Sequence, residues 1–224
     1  MQQLLLNIVP DCPATFNNFI PGENCESLTA VRDLAQHHKS DPLIYIWGAA
    51  ASGKTHLLRA ALLSAQNQHE QTLYFNAQEN EGVIESGFDL LAIDNVEHLS
   101  PNQQIQLFSH INRAREGQGR IVCTGNAAPK YLPLRADLSS RLAWHLVYQL
   151  IPLSDVHKRE ALAQRSQTLG FILNPEHIEF LMRHWRRDLS ALFTLIDRLD
   201  EYSRMEQRPI TLPLLREVLS IHQA

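Results

Sequence analysis

The chain of 224 residues carries 20 lysines and arginines against 24 aspartates and glutamates, and 44% of its residues are hydrophobic. This length predicts one large domain or two modest ones with ample surface to bury. The net charge of −4 argues against a protein that grips DNA by itself, because neutralising phosphates supplies most non-specific affinity for DNA. No apolar run reaches the ~18 residues of a transmembrane helix.

The N-terminus and the cysteines give no indication of export. The first residues lack the basic start and long apolar core of a signal peptide. Three cysteines, Cys12, Cys25 and Cys123, show neither an even count nor CxxC spacing, which is typical of reduced thiols rather than of disulfides or a zinc site. We therefore expect a cytoplasmic protein with no membrane partner.

Short apolar runs alternate with longer helical ones through the first two thirds of the chain, after an arm at residues 1–24. The predicted strands are Leu43–Trp47, Thr72–Asn76, Asp89–Ile93, Arg120–Thr124 and His145–Leu150, with helices predicted over 54–66 and 102–116. Such alternation predicts an α/β domain over 25–152, with a parallel five-stranded sheet flanked by helices. Trp47 and Trp144 adjoin strands and are predicted to be core residues.

After Pro152 the strand signals stop and the pattern is helical to the end of the chain. Capping residues and helical apolar spacing set the expected starts. The predicted helices begin at Ser154 or Asp155, at Asn174, at Asp188 and at Thr211. A small all-helical domain over 153–224 is therefore expected. The arginines between Arg183 and Arg208 are diluted by carboxylates, which favours a solvated helix face over a DNA-binding stripe.

Residues 48–55, Gly-Ala-Ala-Ala-Ser-Gly-Lys-Thr, match GxxxxGK[ST] between a predicted strand and a predicted helix, which is the context that this phosphate-binding motif requires. The glycines let backbone N–H groups turn around a phosphate, and the helix N-terminus adds its dipole. Lys54 is expected to bridge the β- and γ-phosphates and Thr55 to ligate Mg²⁺. The residues predicted to bind nucleotide here are Gly48, Ala51, Ser52, Gly53, Lys54, Thr55 and His56. The alternative is a glycine-containing turn with a surface lysine.

A second part of the phosphate site is predicted in residues 88–95, an apolar strand that ends in Asp94. The Asp94 carboxylate would orient a water on Mg²⁺. Asn95 follows, where hydrolytic P-loop enzymes commonly place a second carboxylate, and an amide can position water but cannot accept its proton. Hydrolysis in this chain's own site is therefore expected to be slow, with Glu97 or His98 as alternative groups in the next turn.

These segments, followed by Thr124-Gly125-Asn126, by Asp-Leu-Ser-Ser-Arg-Leu-Ala-Trp at 137–144 and by Arg-Asp-Leu at 187–189, stand in the order used by AAA+ ATPases. In detail the chain resembles the bacterial replication initiator DnaA and, still more, the Hda family, its short relatives that inactivate DnaA. The resemblance covers essentially the whole chain. It implies a nucleotide-binding domain with a helical lid, and ADP or ATP with Mg²⁺ as ligand.

The resemblance also implies roles for single residues. Asn126 matches sensor 1, near the γ-phosphate, and Arg141 matches the arginine finger that reaches the nucleotide of a neighbouring subunit. Arg187 matches sensor 2 of the lid, while Phe19 and Ile20 match the linker that lines the adenine. Each role has a structural alternative. Asn126 could close a turn, and Arg141 could pair with Asp137. Arg187 could belong to a charged helix face, with the neighbouring Arg186 as sensor 2 instead.

The same resemblance leads to one expectation for each end of the chain. The initiator has a helix-turn-helix domain beyond its lid, whereas this sequence stops after the lid, so we expect a module whose contact with DNA is indirect. At the other end, Gln3 as a polar anchor and Leu4, Leu6 and Ile8 as apolar contacts resemble the peptide by which Hda docks on the polymerase sliding clamp. The alternative is an N-terminal strand packed on the protein's own sheet.

Three functions are compatible with these patterns. The leading hypothesis is an accessory AAA+ protein that inactivates DnaA by promoting hydrolysis of its bound ATP, while tethered to the sliding clamp. The rival is a self-sufficient ATPase acting as a helicase loader or remodeller, which the amide at Asn95 disfavours. A third is a clamp-binding adaptor whose nucleotide is only structural. Self-association is expected to be possible in any of them.

Overall fold

A computed structural model describes residues 13–37, 41–185 and 188–221. Their contacts divide into two compact units, which fall in Pro13–Pro152 and in Leu153–Ala224. Within the described residues, no helix is both long and apolar enough to cross a membrane. The nucleotide-binding motif lies wholly in the first unit, so that unit is where the candidate site is built.

The first unit is a five-stranded parallel sheet flanked by helices, which confirms the predicted fold class. In chain order the elements are α1 (Cys25–Ala35), β1 (Leu43–Gly48), α2 (Lys54–Gln66), β2 (Thr72–Asn76), β3 (Leu90–Asp94), α3 (Pro101–Arg115), β4 (Arg120–Gly125), α4 (Ala136–Ala143) and β5 (Leu146–Leu150), with 3-10 turns at Val96–His98 and Pro129–Tyr131. The strands are ordered β2-β3-β4-β1-β5 in the sheet, and every pairing is parallel.

The two faces of the sheet bury separate cores. Residues of β1 pack alternately in one core and in the other, because successive side chains of a strand point to opposite faces. Ile44 and Ile46 pack in the core formed with α1 and α2, whereas Leu43 and Tyr45 pack in the core formed with α3 and α4. Helices α2 and α4 therefore lie on opposite faces. Burial on both faces also explains why the strands are continuous apolar runs.

Helix α1 was not predicted, and its start shows why. Its N-cap residue, Asn24, makes no side-chain capping bond to the helix. The Asn24 amide instead exchanges two hydrogen bonds with the backbone of Ile151, at 2.8 Å and 2.7 Å. This contact joins positions 127 residues apart, so the local pattern that usually marks a helix start is missing.

The second unit is all-helical, as predicted. Its helices are α5 (Asp155–Thr168), α6 (Pro175–His184), α7 (Leu189–Glu206) and α8 (Leu212–Ile221). Ser154 caps α5 by accepting a hydrogen bond from the His157 N–H, and Gly170 follows α5 with φ +88°, a conformation that suits glycine after a helix. Leucines from all four helices share one core, with Leu162, Leu181, Leu192 and Leu215 among its most buried members.

Three described arginines between Arg183 and Arg208 pair with carboxylates of the second unit. The pairs are Arg183–Glu179 at 3.5 Å, Arg204–Asp200 at 2.7 Å and Arg208–Glu217 at 3.1 Å. Because these arginines are already matched by nearby negative charge, they do not form a stripe of unpaired positive charge for phosphates. This supports the solvated-face interpretation of that segment.

Candidate nucleotide site and arginine finger

The glycine loop connects β1 to α2 at the carboxyl edge of the sheet, and its backbone requires its glycines. Gly53 is the N-cap of α2 with φ +99°, and a Cβ there would lie 2.9 Å from the Phe19 ring. At Gly48 a Cβ would lie 2.6 Å from the Leu150 carbonyl oxygen. The loop is thus packed tightly between β5 and the segment before α1, with the N-terminus of α2 facing its interior.

Two polar groups of the loop fit an anion. Lys54 Nζ donates to the carbonyl oxygens of Gly48 and Ala49, both at 2.8 Å. Burial lowers the pKa of Lys54, and the charges of Asp94 and Glu97 oppose that shift. Ser52 Oγ is buried and has no hydrogen-bond partner among the residues described. A buried hydroxyl without a partner, a lysine at the loop carbonyls and a helix N-terminus form the donor set that phosphate prefers.

The two residues predicted to hold Mg²⁺, Thr55 and Asp94, lie in contact with each other. Thr55 Oγ1 donates to Asp94 Oδ2 at 2.6 Å, and Asp94 is 1% exposed. The Thr124 hydroxyl donates to the other Asp94 oxygen, and the Tyr74 hydroxyl donates to Oδ2 at 3.2 Å. Burial, with Asp94 nearby, raises the pKa of Tyr74 to about 12, so that donor is neutral.

These oxygen ligands suit Mg²⁺, which is usually bound by one or two carboxylates together with phosphates and waters. In keeping with that, the described residues contain no cluster of three or more His, Cys, Asp or Glu side chains that could hold a metal alone. Thr55 and Asp94 are therefore the groups that would hold the ion beside a nucleotide.

Asn95 is turned toward β2. Its φ is +59°, its side-chain N–H donates to Asn76 Oδ1 at 3.0 Å, and its backbone N–H donates to Thr124 Oγ1 at 3.3 Å. Glu97 lies one turn further, with Oε2 buried and unpartnered among the described atoms, whereas His98 is exposed. Of the two alternatives, Glu97 is therefore the one with a carboxylate oxygen buried in the protein.

Asn126 directly follows β4, the strand beside β3, and is exposed at the carboxyl edge of the sheet. The turn that carries it is pinned by the Tyr45 hydroxyl, which donates to the Ala127 carbonyl oxygen at 2.7 Å. Gly125 lies directly under this contact. An added Cβ there would lie well inside contact distance of the Tyr45 hydroxyl and 3.2 Å from Glu97 Oε2.

We expect Gly125→Ala to lower the free energy of unfolding, because Tyr45 is fully buried and cannot easily move away from the new methyl group. Overpacking of this kind typically costs about 1–3 kcal/mol, measurable by denaturant unfolding. Gly82→Ala is the matched control, since nothing lies within 4 Å of its added Cβ, and it should change stability by less than ~0.5 kcal/mol. Equal stability of the two variants would contradict the Tyr45 contact.

The two residues predicted to line the adenine, Phe19 and Ile20, lie in the segment before α1. Phe19 is buried, Ile20 is half-buried, and the Phe19 ring lies 5.5 Å from the His56 ring at an angle of 55°. His56 Nε2 lies 3.0 Å from the Thr15 carbonyl oxygen. Burial lowers the pKa of His56, which favours the neutral ring. The linker is thereby fixed to the first turn of α2, next to the phosphate loop.

Arg141 lies on α4, which packs on the face of the sheet opposite α2. Its guanidinium carbon is 5.5 Å from the centre of the Phe108 ring and 5.0 Å from that of the Trp144 ring. Arg141 Nη1 is buried and has no hydrogen-bond partner in the described part of the chain. The nearby aspartate, Asp137, pairs instead with Arg135 at 2.9 Å.

The prediction that Trp144 is a core residue is wrong. Trp144 is the C-cap of α4 and is 68% exposed, with its ring beside Arg141 rather than in the sheet. Trp47, in contrast, is half-buried and packs against the core of α3 and α4. Adjacency to a strand did not distinguish the two tryptophans, because one belongs to the strand and the other ends a helix.

Five of the predicted site residues lie outside the described residues. They are Gln3, Leu4, Leu6, Ile8 and Arg187. The clamp-binding and sensor 2 assignments therefore stay predictions.

Comparisons with known proteins place both units in one group. The family model of the bacterial DnaA ATPase domain matches residues 11–84, and that of the Hda lid domain matches residues 155–219. Domain III of DnaA from Thermotoga maritima is similar with a TM-score of 0.80 and 23% identity, covering 92% of this chain and 95% of that chain.

Two further structures share the fold. AMPPCP-bound DnaA from Aquifex aeolicus has a TM-score of 0.72 and 23% identity, over 86% of this chain and 66% of that chain. The RuvB Holliday junction branch migration motor of Thermotoga maritima has a TM-score of 0.68 and 16% identity, over 93% and 72%. With a DnaA-type match on the α/β unit and an Hda-type match on the helical unit, the chain belongs to the Hda and DnaA-related family of AAA+ proteins.

Proposed function

We propose that this chain is an accessory AAA+ protein that inactivates DnaA by promoting hydrolysis of DnaA-bound ATP while it is tethered to the DNA sliding clamp. The observation that carries the proposal is the state of the Arg141 side chain. Its guanidinium forms no ion pair with a described carboxylate, and its buried Nη1 has no hydrogen-bond partner among the described residues. It belongs to a helix on the sheet face opposite the chain's own phosphate-loop helix. An arginine so placed is suited to the nucleotide of another molecule.

The chain's own site would hold ADP or ATP with Mg²⁺. The loop amides, Ser52 and Lys54 would bind the phosphates, Thr55 and Asp94 would bind the ion, and Arg187 would reach the nucleotide from the lid. A relative of the same fold, DnaA from Aquifex aeolicus, binds AMPPCP. The Asn95 side chain is hydrogen-bonded to Asn76, and its amide cannot accept a proton from water. Hydrolysis of a nucleotide bound in this site is therefore expected to be slow.

In the proposed reaction, Arg141 stabilises the charge that develops on the γ-phosphate of DnaA-bound ATP as water attacks it. The bond from the γ-phosphorus to the bridging oxygen breaks, leaving ADP on DnaA and releasing inorganic phosphate. An arginine supplied in trans accelerates such hydrolysis by roughly 10³–10⁵ in GTPases. That corresponds to about 4–7 kcal/mol, which is enough to convert slow hydrolysis into a switch.

The test combines the purified chain, DnaA loaded with radiolabelled ATP, and clamp loaded on DNA. Release of labelled phosphate is measured over time. At low concentration of the chain, we expect release to accelerate only when the chain and the loaded clamp are both present. The same rate with and without the chain would overturn the proposal.

Deletion of residues 1–9 is expected to reduce this activity at low protein concentration, because a tether raises the effective concentration without adding catalytic contacts. Linked binding commonly gains 10²–10⁴ in avidity, so a loss of on the order of 100-fold is expected, largely recovered at high concentration. Co-sedimentation with the clamp measures the tether directly. Full activity of the truncated chain at low concentration would contradict tethering to the clamp, but it would not contradict the role proposed for Arg141.

A second candidate function has one observation in its favour. Glu97 keeps a buried, unpartnered carboxylate oxygen among the described residues and acts electrostatically on Lys54. A carboxylate in that position could take a proton from water, which the self-sufficient ATPase requires. Robust hydrolysis by the chain alone, lost in Glu97→Gln, would favour this function over the proposed one.

A further inference from the structure

We propose that Trp144 is a positioning residue, whose exposed ring holds the Arg141 guanidinium in the orientation in which a partner's ATP meets it. This rests on the proposed function, since it concerns how Arg141 is presented to another molecule. The partner is an ATP-loaded protein that covers the C-terminal end of α4 when it docks.

The geometry confines the guanidinium on two sides. Trp144 lies three residues after Arg141, and its backbone N–H donates to the Arg141 carbonyl oxygen at 3.3 Å. Residues at this spacing share one side of a helix. The Trp144 ring centre is 5.0 Å from the guanidinium carbon, and the Phe108 ring, from α3, is 5.5 Å from it. Two separate elements therefore limit where the arginine can point.

Aromatic rings hold an arginine differently from a carboxylate. Two other described arginines of this unit are ion-paired, Arg135 with Asp137 and Arg120 with Glu70. Arg32 and Arg59 lie over rings, as Arg141 does. A carboxylate occupies the guanidinium N–H groups, and its bonds would have to break before phosphate could bind. A ring face attracts the cation through its π-electrons and leaves the in-plane N–H groups available. In agreement with this arrangement, the buried Nη1 of Arg141 has no hydrogen-bond partner among the described residues.

Because the Trp144 side chain is exposed, its contact with Arg141 would change when a partner docks. At 68% exposed, the ring contributes little to the core of the free chain, yet a docking partner would bury both the ring and the guanidinium beside it. Cation–π attraction strengthens on desolvation. Trp144 would therefore hold Arg141 most firmly in the docked complex, when the guanidinium must be aligned.

The experiment is single-turnover hydrolysis of DnaA-bound ATP, measured against the concentration of the chain to give a maximal rate and a half-saturating concentration. We expect Trp144→Ala to lower the maximal rate at least about tenfold, with the half-saturating concentration changed less than about threefold. Trp144→Phe keeps a ring face and should recover most of the rate. Trp144→Leu keeps apolar bulk without a π-face and should not.

Tyr131→Ala is the matched control, because Tyr131 is an equally exposed aromatic residue (70%) that stacks with Lys130 rather than with Arg141. It should leave the maximal rate unchanged. Thermal unfolding of Trp144→Ala should match the wild type, and NMR relaxation of the Arg141 Nε–H should show greater mobility, a readout independent of hydrolysis.

A wild-type maximal rate in Trp144→Ala, a change confined to half-saturation, or equal rates for the Leu and Phe variants would each overturn the positioning role. Failure of the proposed function gives a different result. In that case Arg141→Ala itself would hydrolyse DnaA-bound ATP as fast as the wild type, whatever the Trp144 variants do.

Discussion

Lys54→Ala is expected to weaken binding of ADP and ATP by on the order of 100-fold or more. Among the described residues, the Lys54 ammonium donates to the loop carbonyls of Gly48 and Ala49, bonds that phosphate oxygens can replace. Hydrogen bonds to charged groups contribute about 1.5–3 kcal/mol each. The expected loss of affinity follows from the loss of two such bonds to phosphate. Isothermal titration calorimetry with ADP and Mg²⁺ measures it directly.

The fold should survive this substitution. Burial disfavours the charged form of Lys54 and lowers its pKa, so removing the ammonium relieves desolvation while losing two hydrogen bonds. The unliganded variant should therefore unfold at nearly the wild-type temperature. The ligand-induced shift is different: saturation at about 100 times Kd stabilises a protein by about 2.7 kcal/mol, and Lys54→Ala should lose most of that stabilisation.

Lys130→Ala is the control for charge. It removes an exposed lysine of the same unit that lies over the Tyr131 ring rather than in the loop, and its affinity for ADP should equal that of the wild type. Wild-type affinity in Lys54→Ala would mean that the loop does not bind phosphate, and the functional proposal would lose its basis.

The parts of the fold that local sequence determines were predictable. Strand β2 at Thr72–Asn76 and helix α2 at Lys54–Gln66 have the predicted bounds, and the other strands differ by a residue at one or both ends. A parallel strand buried on both faces is marked by a continuous apolar run, and the phosphate loop is marked by its fixed glycine spacing. Both signals lie within a few neighbouring residues, so a single sequence reveals them.

The remaining features depend on contacts between distant segments. The amide of Asn95 is directed by Asn76 of another strand, and the start of α1 is tied to Ile151. The surroundings of Arg141 are similar, because Phe108 comes from a different helix. A motif shows which residue types are present, but the partner that orients each side chain is decided by how the strands and helices come together.

Arg141→Ala is expected to have the largest effect on the proposed activity, lowering hydrolysis of DnaA-bound ATP by roughly 10³–10⁵. The chain's own affinity for ADP should be unchanged, because α4 packs on the sheet face opposite α2. Stability should change little, since Arg141 Nη1 satisfies no described partner and its removal leaves no buried group unpaired. The measurement is phosphate release from DnaA-bound ATP, with ADP calorimetry on the same preparation.

Two further variants separate charge from geometry. Arg141→Lys keeps a positive charge but loses the planar fork that binds phosphate through two parallel bonds, so it should recover little of the rate. Arg135→Ala removes an arginine at the start of the same helix that is paired with Asp137, and it should act like the wild type. If Arg141→Ala keeps full activity while deletion of residues 1–9 abolishes it, the chain is a clamp-binding adaptor, and its nucleotide serves only to stabilise the fold.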